Sequence, residues 1–318
     1  MIYKNTLTVG MGSKQIDIGV LTSDVIYSVS PAYHTFKING IDSDYLRYCL
    51  EWRNADMFVR YVKRGSRQGK NIDIKRWIDY KIPVYPSTYQ YVVVENLNKV
   101  KKILGQLNQQ IEQLNLLGKA RFVEIFGDPV RNPMKWNTYQ LSDCLDRIDN
   151  GKSLVCLNNP RKARQPAILK LSAVSYGNYR PSENKALLDE NSFVEKAEVK
   201  NGDLLFTRKN TPELVGMATY VKETPKKLMM PDLIFRLVPN EKMNPVFLWQ
   251  LINCKEFRPV IKRISGGSAK SMSNISKERL GKIKVICPPK QLQEKLVPFI
   301  NQIDKFKWLP ISYSMSTL

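Results

Sequence analysis

Histidine, paired cysteines and long apolar runs are all scarce in this sequence. His34 is the only histidine, which excludes Ser-His-Asp and Cys-His centres unless His34 serves one, and a polar loop histidine is the preferred interpretation. The five cysteines form no C-x-x-C pair, which favours buried thiols in a reducing cytoplasm over disulfides or zinc sites. No run approaches the ~20 apolar residues that span a bilayer, and no signal peptide is visible. We therefore expect a cytoplasmic protein without a membrane partner.

Acidic residues are also few relative to basic ones. The 318 residues contain 50 Lys and Arg against 29 Asp and Glu, which gives a formal net charge of +21. Self-repulsion at this charge destabilises a compact state unless a polyanion compensates it. Nucleic acid is the partner that this charge favours, ahead of an acidic membrane surface. The length is sufficient for two domains of ordinary size.

Each catalytic motif that the sequence approaches is incomplete. The segment 65–71 is one residue short of a phosphate-binding loop and lacks its hydroxyl. The segment 244–247 lacks the second proline of an amino-methyltransferase loop, and no glycine-rich S-adenosylmethionine loop accompanies it. Asp189, Glu198 and Lys200 outline a metal nuclease only as loosely as chance allows. We predict no catalytic or metal-binding residue, and a stand-alone nuclease or methyltransferase is the disfavoured alternative of another class.

One block of sequence occurs twice, about 200 residues apart. Each copy has a Gly/Ser-rich basic loop, then Asn-Ile, a short helix and a strand that ends in proline. The offset is 203 residues both from Asn71 to Asn274 and from Pro86 to Pro289. Solenoid units repeat every ~20–50 residues, so the repeated unit here is a whole domain with a connector. Two similar domains indicate a bipartite target. Residues 43–62 and 247–264 are the predicted helices that precede the two loops.

A heptad pattern follows each copy. The strict pattern in the predicted helix 87–126 ends before Gly118 and Arg121. The second pattern begins after Pro289, contains Pro298, which we expect to kink or interrupt the helix, and stops near Lys307. The predicted helix-pairing positions are Leu97, Val100, Leu104, Leu107, Ile111, Leu114, Leu292, Leu296, Phe299, Ile303 and Phe306.

The basic loops are the best candidates for a binding site. Residues 60–81 carry eight basic side chains and two acidic ones, and Arg67 and Gln68 have donor geometry suited to guanine and adenine edges. Recurrence of such a loop at the same place in the second copy weakens the alternative of an ordinary exposed turn. The predicted DNA-binding residues are Lys63, Arg64, Gly65, Ser66, Arg67, Gln68, Lys70, Asn71, Arg208, Lys209, Asn210, Arg263, Gly266, Gly267, Ser268, Lys270 and Ser271.

These features resemble the specificity subunits of type I restriction–modification enzymes. The junction 120–129, followed by Asn132-Pro133 and Trp136, carries the resemblance, together with Gly202-Asp203-Leu-Leu-Phe and the repeated loop–helix–strand pattern. The resemblance implies two target recognition domains on double-stranded DNA, joined by helices that pair antiparallel and dock modification subunits. S-adenosylmethionine, ATP and Mg would belong to those subunits and to a restriction (motor–nuclease) subunit, with no cofactor on this chain.

The resemblance also divides the chain. We expect an α+β fold of two β-rich recognition domains joined by coiled-coil-forming helices. The expected parts are a partial first domain at 1–86, a central helix at 87–126, a second domain at 127–289, a truncated distal helix at 290–307 and a tail outside the family pattern at 308–318. Residues 136–200 have no counterpart ahead of the first copy. An inactive or partial specificity subunit, serving as a recombination reservoir or completed by another chain, is therefore the main alternative.

Overall fold

The structure is a computed structural model that describes residues 1–13, 15–64, 70–266 and 272–315. For Arg64, Lys70 and residues 307–315 only the backbone is described. The chain forms two compact units, Met1–Gln109 and Gln110–Leu318. Both mix sheets with helices, which confirms the predicted α+β class. No helix in the described ranges is long and apolar enough to cross a membrane.

Unit 1 contains a three-stranded antiparallel sheet, a two-stranded hairpin and three short helices before the long helix begins. In chain order its elements are β1 (Thr6–Met11), β2 (Ile16–Leu21), β3 (His34–Lys37), α1 (Ser43–Trp52), α2 (Asn54–Tyr61), β4 (Val62–Arg64), β5 (Lys70–Ile72), α3 (Ile74–Trp77) and α4 (Ser87–Phe126). The sheet order is β2-β1-β3, and β4 pairs with β5. Alternation along β1 places Leu7 and Val9 on the face that packs against α1, α2 and α3.

Unit 2 begins within α4 and holds the remaining elements. They are β6 (Thr138–Gln140), β7 (Leu145–Asn150), β8 (Ala167–Leu169), β9 (Asn184–Ala186), β10 (Leu204–Thr207), β11 (Lys209–Asn210), β12 (Ala218–Tyr220), β13 (Leu228–Met229), β14 (Ile234–Pro239), α5 (Pro245–Asn253), α6 (Arg258–Arg263), β15 (Ser273–Asn274), α7 (Lys277–Gly281), β16 (Lys284–Ile286) and α8 (Lys290–Met315). The main sheet is antiparallel, in the order β12-β10-β14-β7. Smaller sheets are β13-β8-β9, β11-β15 and β16-β6.

The main sheet of unit 2 is buried on both faces. Leu204, Phe206 and Leu237 point to a core formed with α5 and α8. Leu205 and Ile234 point to a second core built with β8 and β13. Such a sheet needs apolar residues at consecutive positions, and β10 reads Leu-Leu-Phe-Thr accordingly.

The junction motif at 120–136 ends α4 and fixes that end to the core of unit 2. Phe122 and Phe126 pack on Phe247, with ring centroids 5.4 and 4.8 Å away. Gly127 has φ +74° and donates its N–H to Val123 O, a left-handed helix end that glycine adopts without a Cβ penalty. The indole N–H of Trp136 donates to Phe126 O at 2.9 Å. The motif therefore has a structural role.

A buried glutamine occupies the same place in both units. In unit 1, Gln90 accepts from Asp42 N at 2.9 Å and donates to Tyr85 O at 2.7 Å. In unit 2, Gln293 accepts from Asn244 N at 2.8 Å and donates to Pro288 O at 2.7 Å. Asp42 and Asn244 are also the N-caps of α1 and α5. Each glutamine thus ties the first turn of a long helix to the start of the domain helix.

Three helices differ from the sequence-based expectation. The predicted helix 43–62 is α1 and α2, separated at Arg53, and the predicted helix 247–264 is α5 and α6. Pro259, in the first turn of α6, has no N–H for a continuous helix. Helix α8 runs to Met315, past the expected end at Lys307, and Pro298 does not interrupt it. Pro298 lies on the exposed side of the helix, and so does Glu294, whose carbonyl loses its usual N–H partner there.

Candidate nucleic-acid interface

The two predicted binding loops are closed by backbone pairs at equivalent positions. In unit 1, β4 and β5 pair Lys63 with Asn71, and in unit 2 an isolated bridge pairs Gly266 with Asn274. Both partners are offset by 203 residues, so the two pairs enclose loops of equal length. The loop residues Gly65, Ser66, Arg67, Gln68, Gly267, Ser268, Lys270 and Ser271 lie outside the described residues.

The base of the unit 1 loop has an ordered ion pair. Lys63 Nζ lies 2.5 Å from Asp73 Oδ2, and the hydrogen bond from Lys63 holds the pKa of Asp73 below its usual range. Lys63 is itself largely exposed, and so is Asn71, whose Oδ1 accepts from Ile72 N. Arg64 and Lys70 form the last described pair of the hairpin. Basic residues therefore flank the loop on both sides.

The base of the unit 2 loop is assembled from three segments. Strand β11 pairs Lys209 with Asn274, and Ile275 N donates to Arg208 O at 2.8 Å. The guanidinium of Arg208 lies 5.0 Å from the Phe235 ring centroid and donates to Asn274 Oδ1 at 3.4 Å. Its Nε is buried without a partner among the described residues. Arg263 is exposed at the end of α6, just before this loop.

Asn210 requires a correction. It is predicted to contact DNA, but its side chain is only 5% exposed. Its amide donates to Ser175 Oγ at 2.8 Å, and its Oδ1 accepts from Thr211 N at 2.9 Å. Burial and these local bonds make Asn210 a residue that holds the 208–211 turn in place, and we do not retain it as a DNA contact.

Two basic residues near this loop were missed by the sequence reasoning. A Cβ on Gly266 would lie 2.3 Å from Arg279 Nη1, so the exposed Arg279 packs directly over the glycine that begins the loop. Lys277 lies 5.8 Å from the Phe235 ring centroid and donates to Ile148 O. Arg279 is offset by 203 residues from the exposed Arg76 of unit 1, and this offset was the available signal.

The predicted helix-pairing residues differ in their exposure. Leu97, Val100 and Leu104 are exposed on α4, while Leu107, Ile111 and Leu114 are half-buried. On α8, Leu292, Leu296 and Phe299 cover the core of unit 2, Ile303 is buried and Phe306 is exposed.

The contact between α4 and α8 in unit 2 occurs where the strict heptad stops. Gly118 is buried, and a Cβ there would lie 3.4 Å from Ile300 Cδ1 and 3.5 Å from Ile303 Cδ1. The Arg121 guanidinium lies 5.8 Å from the Phe299 ring centroid. A glycine at this position lets the helices approach closely, so Gly118 and Arg121 extend the pairing surface rather than end it.

The charge around the two loops suits a polyanionic partner. Exposed lysine and arginine side chains around each loop are suited to neutralising phosphates. Within the described ranges, no group of three or more His, Cys, Asp or Glu residues could hold a metal ion.

Comparison with known proteins gives a family match that lies within unit 2. The family described as "Type I restriction modification DNA specificity domain" matches residues 133–308, more than half of the chain. The type I restriction enzyme EcoEI specificity subunit of Escherichia coli is 28% identical over 179 residues, 56% of this chain and 30% of that protein. The EcoKI specificity subunit of Escherichia coli K12 is 22% identical and covers 70% of this chain and 50% of that protein. This chain thus spans half or less of these two relatives.

A solved structure extends the fold similarity to the whole chain. The type I restriction–modification S subunit from M. genitalium matches with a TM-score of 0.52 and 15% identity, covering 99% of this chain and 80% of that one. At this identity the match concerns the fold, and it supports the arrangement of sheets with long helices seen here. The chain belongs to the family of type I restriction–modification DNA specificity domains.

Proposed function

We propose that this chain is a non-catalytic, sequence-reading subunit of a type I restriction–modification complex, in which each unit contacts one half of a split double-stranded DNA site. The observation that carries the proposal is the equivalence of the two loop closures, Lys63 with Asn71 and Gly266 with Asn274. Repetition of the scaffold alone would preserve the span of a structural turn. The basic residues that accompany both loops, among them Lys63 and Arg64 in the first unit and Arg263 and Arg279 in the second, are what favour DNA as the partner.

The loops divide the work between affinity and specificity. Lys63, Arg263 and Lys209 are placed for phosphate contacts, which supply affinity without sequence information. Arg67 and Gln68 in the first loop, and Ser268 and Lys270 in the second, are the positions proposed to face base edges in the major groove. The surplus of 50 basic over 29 acidic residues supports approach to DNA over long distances.

The exposed apolar stripe of α4 is the proposed docking surface for modification subunits. Leu97, Val100 and Leu104 are between 38% and 55% exposed, and a stripe of this kind on a long helix is stabilised by a partner helix. S-adenosylmethionine would be bound by those subunits, and ATP and Mg by a restriction subunit. The chain's own contribution would be recognition and spacing, in the cytoplasm.

A binding experiment with the reconstituted complex tests the proposal. Selection from a random duplex library first yields a preferred sequence, which is then compared with a scrambled duplex of the same composition. Arg67→Ala should weaken binding to the preferred duplex by about 1–3 kcal/mol, the value of a bidentate base contact, and affect the scrambled duplex much less. Fluorescence anisotropy at fixed salt measures both affinities.

The matched control is Lys101→Ala, which removes an exposed cation from α4. It should leave the ratio of the two affinities unchanged. Equal losses on both duplexes for Arg67→Ala would reduce Arg67 to a phosphate contact. If selection yields no preferred sequence at all, the chain does not read sequence and the proposal fails.

A further inference from the structure

Cys144 and Cys287 lie next to each other in unit 2, although they are far apart in the sequence. Pairing of β6 with β16 brings them together, because Cys287 follows β16 and donates its N–H to Asn137 O at 2.8 Å. Cys144 ends the 3₁₀ turn Leu141–Cys144 that follows β6. The two thiols form a hydrogen bond with each other. Cys144 is fully buried in the main core of unit 2, and Cys287 is half-buried at the margin of that core.

The surroundings of Cys287 favour its thiolate form. Its Sγ lies 3.9 Å from Gln293 Nε2, a donor, and 3.5 Å from Lys242 O, an acceptor for the thiol form. The hydrogen bond from Cys144 lowers the pKa of Cys287 to about 7 against the opposing effect of burial, and the charges of Lys242 and Lys290 act in the same direction. The same hydrogen bond, together with burial, raises the pKa of Cys144. At neutral pH, Cys287 is therefore the sulfur that ionises, while Cys144 keeps its proton.

Two other cysteines of unit 2 are held as neutral thiols. Burial raises the pKa of Cys156, whose thiol donates to Leu154 O at 3.4 Å. Burial also raises the pKa of Cys254 to about 12, and its thiol donates to the Glu256 carboxylate at 2.7 Å. A thiol that stays protonated is a poor nucleophile, whereas an accessible thiolate with a second thiol beside it is typical of redox-sensing cysteines. Cys287 has those properties.

We propose that Cys287 and Cys144 are a thiol pair that hydrogen peroxide converts to a disulfide, with Cys287 as the attacking sulfur and Cys144 as the resolving one. The Cys287 thiolate attacks one oxygen of the peroxide, the O–O bond breaks, and the products are a sulfenic acid and hydroxide, which takes up the proton that Cys287 released. The Cys144 sulfur then attacks the Cys287 sulfur and gives up its proton, and the sulfenic hydroxyl leaves as water. Two thiols and one peroxide thus give one disulfide and two water molecules. The proposal does not depend on DNA binding.

The disulfide would attach the start of α8 covalently to the turn after β6. Cys287 is followed by Pro288, whose carbonyl accepts from Gln293 at 2.7 Å, and α8 begins at Lys290. Cys144 precedes β7 and Cys287 follows β16, so the bond would enclose every strand of the main sheet in one covalent loop. Closure of so long a loop restricts the unfolded chain and therefore stabilises the folded one. In a reducing compartment the bond would be transient, because dithiol reductants reverse it.

Oxidation of the full 318-residue chain tests the proposal. The reduced chain is treated at neutral pH with equimolar hydrogen peroxide, and peptide mapping by mass spectrometry without reductant locates the modified sulfurs. We expect a cross-link between the Cys144 and Cys287 peptides, and a fall in free thiols from five to three that a dithiol reverses. Urea denaturation should give a higher midpoint for unit 2 in the oxidised chain than in the reduced one.

Alkylation of the reduced, unaltered chain tests the nucleophile separately. At neutral pH, iodoacetamide should label Cys287 at least about tenfold faster than Cys156, because a larger fraction of Cys287 is thiolate. Equal rates would contradict the role of Cys287 as the attacking sulfur.

Single variants separate the two roles. Cys287→Ser should abolish the cross-link, whereas Cys144→Ser should leave a Cys287 sulfenic acid that dimedone traps. The matched control is Cys156→Ser, at another half-buried thiol of unit 2, which should cross-link as the original chain does. Circular dichroism melting checks that the variants fold, and peptide mapping of the unaltered chain needs no variant.

Three results would overturn the proposal. The first is a sulfinic or sulfonic acid at Cys287 without any disulfide. The second is a disulfide that joins Cys287 to a cysteine other than Cys144, within the chain or between chains. The third is a Cys144–Cys287 disulfide that forms only after the chain is unfolded in urea, since the folded contact would then have no part in it.

Discussion

The two units place the same scaffold in different surroundings. In unit 2 the sheet is buried on both faces, and Leu205 fills the second core. In unit 1 the equivalent of Leu205 is Thr8, whose hydroxyl donates to Gly19 O on the neighbouring strand at 3.2 Å. Thr8 is itself buried, but it belongs to no second apolar core in the described part of unit 1, and its hydroxyl has a backbone partner. The two units therefore share one apolar core beside the sheet, the helix caps and the glutamines, and among the described residues the second core over the sheet is found in unit 2.

The largest expected effect is the loss of stability when a buried aromatic side chain is removed from α5, compared with the same removal from α1. Phe247→Ala should destabilise unit 2 by about 3–5 kcal/mol, because Phe247 is fully buried against Phe122 and Phe126. Its counterpart Tyr45 is buried but donates its hydroxyl to Pro83 O, near the surface. Tyr45→Ala should therefore cost unit 1 less, about 2–3 kcal/mol. Urea denaturation followed by fluorescence measures both changes.

Tyr45→Phe is the control for this comparison, and it should cost about 1 kcal/mol through loss of one hydrogen bond. A greater loss for Tyr45→Ala than for Phe247→Ala would show that unit 1 relies on its single core more heavily than its packing indicates.

The buried glutamines provide a comparison of intermediate size. Gln293→Leu leaves Asn244 N, Pro288 O and a third partner, Lys242 O at 3.0 Å, without their bonds. Gln90→Leu leaves only Asp42 N and Tyr85 O. Buried unsatisfied groups cost ~1–3 kcal/mol, so we expect losses of about 3 and about 2 kcal/mol respectively.

Chemical denaturation of both glutamine variants is compared with that of Gln291→Leu, a substitution at an exposed position of α8. This control should change stability by no more than about 0.5 kcal/mol. If the two buried substitutions also fall within that range, the glutamines do not tie the helices to the domains.

The smallest effect concerns pH and has opposite signs in the two units. The hydrogen bond from Lys63 lowers the pKa of Asp73, so its stabilising contribution is present at neutral pH and is lost as pH falls through the folded-state pKa. Burial raises the pKa of Asp203 despite its ion pair with Arg236, so its contribution declines as pH rises above the unfolded value. Asp73→Asn should lose more stability at pH 7 than at pH 3.

For Asp203→Asn the informative quantity is the slope of stability against pH, since the substitution also alters bonds to Lys200 N and Arg236. The decline above about pH 4 should disappear from the profile of unit 2. Parallel profiles for the Asp73 and Asp203 variants would contradict the assigned causes. Denaturation curves from pH 3 to 7 measure both.

The sequence was informative where a feature is periodic or local. Spacing of Leu97 to Leu114 predicted the long helix, and the 203-residue offset predicted the repeated scaffold. The buried glutamines were missed because a polar residue in the first turn of an exposed-looking helix carries no periodic signal. The same offset joins Gln90 to Gln293 and could have revealed them.

Site residues were harder to predict because burial depends on distant segments. Asparagine is a residue type that can read bases, but the side-chain amide of Asn210 donates to Ser175, which lies 35 residues earlier in the sequence. Arg279 follows a loop instead of lying in it, and only the fold brings it against Gly266. The pairing role of Gly118 was likewise invisible to a pattern that counts apolar side chains, since its contribution is the absence of one.

Because the two loop closures have the same span, the loop sequences could be replaced while the closing pairs stay the same. Because Lys63 with Asn71 and Gly266 with Asn274 close loops of one length, the residues between them can be rewritten without changing the chain path on either side. Ile72 and Ile275, both buried, follow directly and anchor the exit of each loop. Variation can therefore accumulate in the loops at little cost to folding. Under the proposed DNA-reading role, such variation would change the recognised sequence while the scaffold stays constant.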